Sequence, residues 1–389
     1  VAILESVDDS HLLAEALLRK GELHTILREF DPAEEALERS LQLRRTIGDT
    51  IGERASLRGY GFLRWSQQRY SDALTYNEAA LTIDRRHGRI TAIVGDLHNL
   101  GSVYNVLGDL AKARACFEEA LELSAPAKGG EDPAFLDPWE ARVSVLYSYG
   151  CLLARCGELD RALQYLGPEG EWKRARENPR RAGHFFTAAA HVHLKLGMVA
   201  ECLEDYRQAI EITRRNHVFP QLGQALQLYA ETLMSLGRER EAREALEEAV
   251  QVFATLADRR GEALTSALLA RVHERLGNVT DAQAAWHNTR ALWKSAGRPQ
   301  GELEALEGLG RVARRHLPSL VALRFFEEGI ALATTLGDSQ RAARLRNSAG
   351  IIEWTRGRHE QALAHFEQAP SLLEAHGDTA GAGQMMNSI

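Results

Sequence analysis

The chain has 389 residues, 44% of them hydrophobic and 26% charged, the proportions of an ordinary folded protein rather than a disordered one. A formal charge of −7 and a pI near 6.1 argue against nucleic-acid binding driven by bulk basicity. No run of about 18 apolar residues offers a membrane span. Cys116, Cys151, Cys156 and Cys202 form no C-x-x-C pair and follow no secretory apolar segment, so a reduced, cytoplasmic interior without disulfides is expected.

Taken in order, the chain reads as one pair of helices written again and again. Segment 1–6 reads as the tail of an earlier helix, because "VDDSHLLAEA" (7–16) is in phase with "IGDTIGERAS" (47–56). A small residue then recurs one turn into each second helix, at Ala33, Ala73, Ala113, Ala162, Cys202, Ala242, Ala282, Ala322 and Ala362. The spacing is 40 residues throughout except for a single step of 49. Upstream of each lies a second small position where two helices must approach closely: Gly21, Gly61, Gly101, Gly150, Ala190, Ala230, Ala270, Gly310 and Gly350.

Seven residues after that position comes the turn, glycine at 108, 157, 197, 237, 277 and 357, where positive φ ends the first helix. Three or four residues into the second helix after its small residue stands a large apolar one, such as Phe117, Leu166, Tyr206, Leu246, Trp286, Phe326 or Phe366. Helical spacing puts small and large residues on one face, the small ones admitting the partner helix and the large ones filling beside it.

Two stretches break the pattern. "APAKGGEDPAFLDPWEA" (125–141) holds too many prolines and glycines for a helix and makes 125–142 a loop insertion between the third and fourth repeats. Gly167–Pro168 should break the second helix of the fourth repeat. Together they mark either a hinge or subdomain seam, or a tolerated surface insertion. "GDTAGAGQMMNS" (377–388) is in phase with "GDSQRAARLRNS" (337–348) and opens a tenth repeat. The expected division is 1–124 for repeats one to three, 125–142 for the insertion, and 143–389 for repeats four to nine with the start of a tenth. With neither end clearly polar and capping, the chain is expected to be a piece of a longer polypeptide.

This register resembles the tetratricopeptide repeat, whose signature places L-G-x-x-Y before A-x-x-x-F. "LGSVYNVLGDLAKARACFEEAL" (100–121) carries it through Leu100, Gly101, Tyr104, Gly108, Ala113, Phe117 and Ala120. The departure is length, 40 residues where the family's basic repeat has 34, with Gly-Asp or Ala-Asp linkers at 48–49, 257–258, 337–338 and 377–378. The resemblance implies an all-α solenoid, a right-handed superhelix of about nine helix-turn-helix repeats. Its first helices would line a concave face that receives peptides or proteins.

No catalytic constellation is present. The sequence lacks G-x-x-x-x-G-K-[ST] and G-x-S-x-G. "HEQALAH" (359–365) sets its histidines six apart, on different helical faces, so it predicts no zinc site. "HVH" (191–193) splays its imidazoles, and Cys202 reads as core packing. No enzyme, cofactor or metal is expected.

What remains is a surface. On the first helices the early repeats offer Arg58, Phe62, Trp65, His98, Asn99, Ser102 and Asn105, suited to a peptide with an apolar anchor. Trp65 could equally cover the seam between repeats. The middle repeats offer Tyr147, His184, His191, Gln224, Gln227 and Glu231. The late repeats offer Arg271, Arg275, Arg311, Arg314, Arg315, Arg344, Asn347 and Trp354, with Glu274, Glu304 and Glu307 among them. This is a basic stripe suited to carboxylates, or else a solvated face of Glu–Arg pairs such as Glu307–Arg311.

Three functions fit. The array resembles the sensor region carboxy-terminal to the nucleotide-binding module of signal-transducing ATPases with numerous domains (STAND), which implies recognition of a protein or peptide ligand, or of other domains of the same parent. The alternatives are a constitutive scaffold and a regulatory region fused to a protease or transcription factor. No nucleic acid or membrane is an expected partner.

Overall fold

The computed structural model describes residues 9–125, 138–167 and 178–374, and those residues form eighteen α-helices and no strand. Two compact halves divide the chain, Val1–Cys202 and Leu203–Ile389. In the first half α1 (Ser10–Ile26) packs on α2 (Phe30–Thr46), and α3 (Thr50–Ser66) on α4 (Tyr70–Arg86). Likewise α5 (Ile90–Leu107) packs on α6 (Leu110–Leu123), and α7 (Pro138–Arg155) on α8 (Leu159–Leu166). Then come α9 (Pro179–Lys195) and α10 (Val199–Arg215), within which the division falls.

The second half continues with α11 (Phe219–Ser235) on α12 (Glu239–Thr255) and α13 (Arg259–Leu276) on α14 (Val279–Ser295). It ends with α15 (Pro299–His316) on α16 (Ser319–Thr335) and α17 (Ser339–Thr355) on α18 (His359–Glu374). Within each half, consecutive pairs also touch, as α2 does α3 and α12 does α13. Stability in such an array comes from each repeat and its immediate neighbours.

The physical basis of the register is plain in the packing. All nine small residues of the second helices, from Ala33 through Cys202 to Ala362, have zero exposure. Sixteen residues before each large apolar residue stands the small residue of the first helix, and the two meet. A Cβ built on Gly101 would lie 2.6 Å from the Phe117 ring, one on Gly150 2.5 Å from Leu166, and one on Gly310 2.3 Å from Phe326. The missing side chain of one helix is therefore the seat of the other's largest one.

Helix ends follow from the linkers. Gly108 ends α5 at φ +86° and Gly277 ends α13 at +76°, as the turn signal required. Arg28 and Gln68 hold the same left-handed conformation without being glycine. The Gly-Asp linkers divide the labour: Gly48 turns the chain at φ +72°, and the Asp49 carboxylate accepts the Gly52 N–H at 2.8 Å to cap α3. Asp258 and Asp338 cap α13 and α17 in the same way.

One detail differs from the sequence reading and another agrees with it. Helix α7 already begins at Pro138, inside the stretch expected to be loop, because proline suits a first helical turn. The remainder of the insertion, 126–137, lies outside the described residues, as does 375–389 with the expected tenth repeat. Helix α8 ends at Leu166, and Gly167 turns extended (φ −67°, ψ 163°) as the following proline demands. All four cysteines are free thiols.

Candidate functional site: a cleft among the first helices

A cleft of about 680 Å³ opens in the first half among α1, α3, α4 and α5. Helix α3 supplies Arg54, Arg58, Gly61, Phe62 and Trp65, spaced by three and four so that they share one face. Helix α5 supplies His98, Asn99, Ser102 and Val103, α1 supplies Leu18, Arg19, Glu22 and Ile26 among others, and α4 contributes Asn77. Arg58, Phe62, Trp65, His98, Asn99 and Ser102, expected on one surface from the sequence, thus line a single cavity.

Phe62 is 43% exposed, a large ring left to solvent. Trp65 leans edge-on against Tyr70 with centroids 5.2 Å apart and also faces the cleft, so it serves both the turn and the cavity. His98 Nε2 lies 2.9 Å from Ser148 Oγ, and burial pushes its pKa below the ordinary value, so the ring stays neutral.

Beneath the cleft the charges are already partnered. Arg54 Nε donates to Asp84 Oδ2 at 2.5 Å, with both side chains buried. Arg58 Nε stands 3.5 Å from Asp96 Oδ1. Asp96 is fully buried and neither of its oxygens accepts a hydrogen bond of good geometry. Burial first of all raises its pKa to about 7, against the pull of Arg58 and Arg54, with Asp84 adding to the rise. On α1, Arg19 is held between Glu15 at 3.0 Å and Glu22 at 2.9 Å.

Asn105, expected beside these residues, lies elsewhere: its side-chain and main-chain oxygens accept from Arg155 Nη1 at 2.8 and 2.6 Å. Of the middle group, Tyr147 and His184 come together with ring centroids 6.0 Å apart.

Of the six late arginines, expected as a basic stripe, three are paired across repeats. Arg311 donates to Glu274 through Nε at 2.8 Å and Nη2 at 2.7 Å, and Glu274 also accepts Trp286 Nε1 at 2.7 Å. Arg271 pairs with Glu304 at 2.5 Å, and Arg275 with Glu239 at 3.5 Å while donating to the Met234 carbonyl at 3.0 Å. The pairs join different helices, because adjacent first helices bring residues 33 to 41 positions apart into reach. The within-helix pair Glu307–Arg311 is not the one that forms. Arg314, Arg315 and Arg344 are exposed, and Asn347 is half-buried.

Sequence reasoning missed Asn77 and Arg54. Asn77 was discoverable: it stands four residues after Ala73, where the register calls for a large apolar side chain. Among the described residues there is no cluster of metal-ligating side chains and no helix long and apolar enough to cross a membrane.

Comparison with known proteins places this geometry in a family. Tetratricopeptide repeat profiles match residues 12–86, then 97–126, 184–216 and 223–255, and finally 314–376, together more than half of the chain. No curated protein matches in sequence. Among solved structures the chain is similar to the Signal Transduction ATPase with Numerous Domains (STAND) protein with a tetratricopeptide repeat sensor, PH0952 from Pyrococcus horikoshii. The TM-score is 0.59 at 14% identity, over 88% of this chain and 54% of that one. This chain therefore spans about half the length of the STAND protein. It is also similar to the apo form of RapI, with TM-score 0.58 and 9% identity over 93% of this chain and 98% of that one. A third likeness is the apo quorum sensor NprR from B. thuringiensis, with TM-score 0.50 and 13% identity over 96% and 90% of the two chains. The profiles and the packing register agree, and this chain belongs to the tetratricopeptide repeat family.

Proposed function

We propose that this chain is the ligand-recognition array of a larger multidomain signalling protein, a STAND-type ATPase, and that it binds a peptide or protein segment in the cleft among α1, α3 and α5. The observation that carries the reading is the cleft itself. Two aromatic side chains, Phe62 and Trp65, stand beside the carboxamides of Asn77 and Asn99 in a cavity of about 680 Å³, large enough for two or three residues of a peptide. Apolar rings supply anchoring area and carboxamides fix register, a division of labour seen at peptide-binding surfaces. The sensor named in the STAND protein and the quorum sensor NprR share the fold and support a sensing role. The array works in the cytoplasm, and the segment it recognises comes from a separate protein or from another domain of the same parent.

The test is a selection of displayed random peptides on the purified chain, followed by titration of the winners against Phe62→Ala and Trp65→Ala. Peptides bound at least tenfold more weakly by both variants support the reading. Winners that bind both variants as the parent does, or none above background, remove the cleft from the proposal. The parent is tested separately, by whether a phosphate-binding G-x-x-x-x-G-K-[ST] loop precedes the array in the intact polypeptide.

A further inference from the structure

Four residues after the buried small residue of each second helix, eight of the nine repeats carry a large apolar side chain, Leu37, Phe117, Leu166, Trp286 and Phe326 among them. The second repeat carries Asn77. Its seat is the same: a Cβ on Gly61 would lie 2.3 Å from Asn77 Oδ1, as one on Gly21 would lie 2.6 Å from Leu37 and one on Gly101 2.6 Å from Phe117. Asn77 fills that seat with a side chain as long as leucine but polar, and the cleft lies directly against it, with Gly61, Trp65 and Val103 in the lining. The residue is 5% exposed, and no described residue hydrogen-bonds its carboxamide. The cavity is thus the place where one apolar knob of the array is replaced by a polar one that no described residue hydrogen-bonds.

We propose that a bound peptide uses this polar knob: an aromatic or branched aliphatic side chain of the ligand enters beside Phe62 and Trp65, while its adjoining main-chain amide bonds the carboxamide of Asn77. This rests on the reading of the cleft as a peptide site. The partner of Asn77 must offer both a donor and an acceptor, as a peptide group does. The nearest cations of α3 do not call for an anion, since Arg54 and Arg58 already face Asp84 and Asp96.

The test uses N-acetyl-L-phenylalaninamide, which pairs one aromatic side chain with main-chain amides, and N-acetyl-L-alaninamide as control, both titrated into the full chain by NMR. The phenylalanine compound should bind saturably and at least tenfold more tightly than the alanine compound. Asn77→Leu should abolish that binding while melting at or above the parent temperature, because leucine already occupies this seat against glycine at Leu37 and Leu166. Asn77→Ala keeps the space and loses the amide, so its affinity should fall several-fold. Unchanged binding by either variant, or no saturable binding by the parent, overturns the proposal. Displayed peptides that bind Asn77→Leu as tightly as the parent overturn this inference alone and leave the peptide reading standing.

Discussion

Arg311 grips the carboxylate of Glu274 with two nitrogens, at 2.8 and 2.7 Å, across the 37 residues that separate them in sequence. The guanidinium also lies over the Trp286 ring, 5.8 Å from its centroid. The pair therefore ties α15 to α13 through the ring of α14. Glu274 is 13% exposed and Arg311 39%, so the contact is partly shielded from solvent. Arg311→Ala should lower stability by about 1–2 kcal/mol, more than an exposed pair contributes, because it leaves Glu274 with one partner fewer. A double-mutant cycle with Glu274→Ala, followed by chemical unfolding, measures the coupling. A coupling near zero would show the pair to be a bystander. The same contact means that reversing Arg311 in a binding assay perturbs the fold as well as the surface.

Overpacking tests the register. Gly310→Ala puts a methyl group 2.3 Å from Phe326, and Ala113→Leu enlarges a residue with zero exposure. Each should cost about 1–3 kcal/mol. Since contacts run only between neighbouring repeats, hydrogen exchange in Gly310→Ala should rise first in α15 and α16, before global melting. Uniform loss of protection would contradict a chain of neighbour-coupled repeats.

The turns offer a gain. Ala257 has φ 53°, a left-handed conformation that costs a residue with a Cβ about 1–2 kcal/mol, while the equivalent turns forty and eighty residues on are glycine, at Gly297 and Gly337. Ala257→Gly should raise stability by about 0.5–1 kcal/mol, after the extra freedom of glycine in the unfolded chain is offset. A lower melting temperature in this variant would mean that the turn is set by contacts rather than by φ.

How far the sequence reached can be judged residue by residue. The register from Ala33 to Ala362 was legible because helical packing repeats the same demand every 40 residues, and one chain supplies nine copies to compare. The cluster of Phe62, Trp65, His98 and Asn99 was legible for the same reason, since equivalent positions of adjacent first helices face one way. Asn77 was hidden by attention to what the repeats share, when the informative position was the one that failed to match. The fate of the late arginines was not legible. Whether Arg311 meets Glu307 on its own helix or Glu274 on a neighbouring one depends on how first helices stand beside each other, which spacing alone does not specify.

Asp96 carries the last prediction. Its buried carboxyl, faced by Arg54 and Arg58 from α3 and by Asp84 from α4, titrates near 7, whereas an unfolded aspartate titrates near 3.9. Between about pH 4 and 7 the folded chain holds a proton that the unfolded chain has released. Stability from this group is therefore complete at low pH and falls as pH rises toward 7, by at most about 1.4 kcal/mol per pH unit, then levels off. Carboxylates whose pKa is lowered, such as Glu34 beside Arg64 and Glu274 beside Arg311, act in the opposite sense, so the parent profile alone does not isolate Asp96. The difference between parent and Asp96→Asn does, because asparagine imitates the protonated acid at every pH and those other groups cancel. The variant should already melt higher than the parent at pH 5 and by a larger margin at pH 8, the two converging only below about pH 4. A gap of the same size at pH 5 and pH 8 would mean that Asp96 is ionised across that range, held by Arg58 and Arg54 despite its burial.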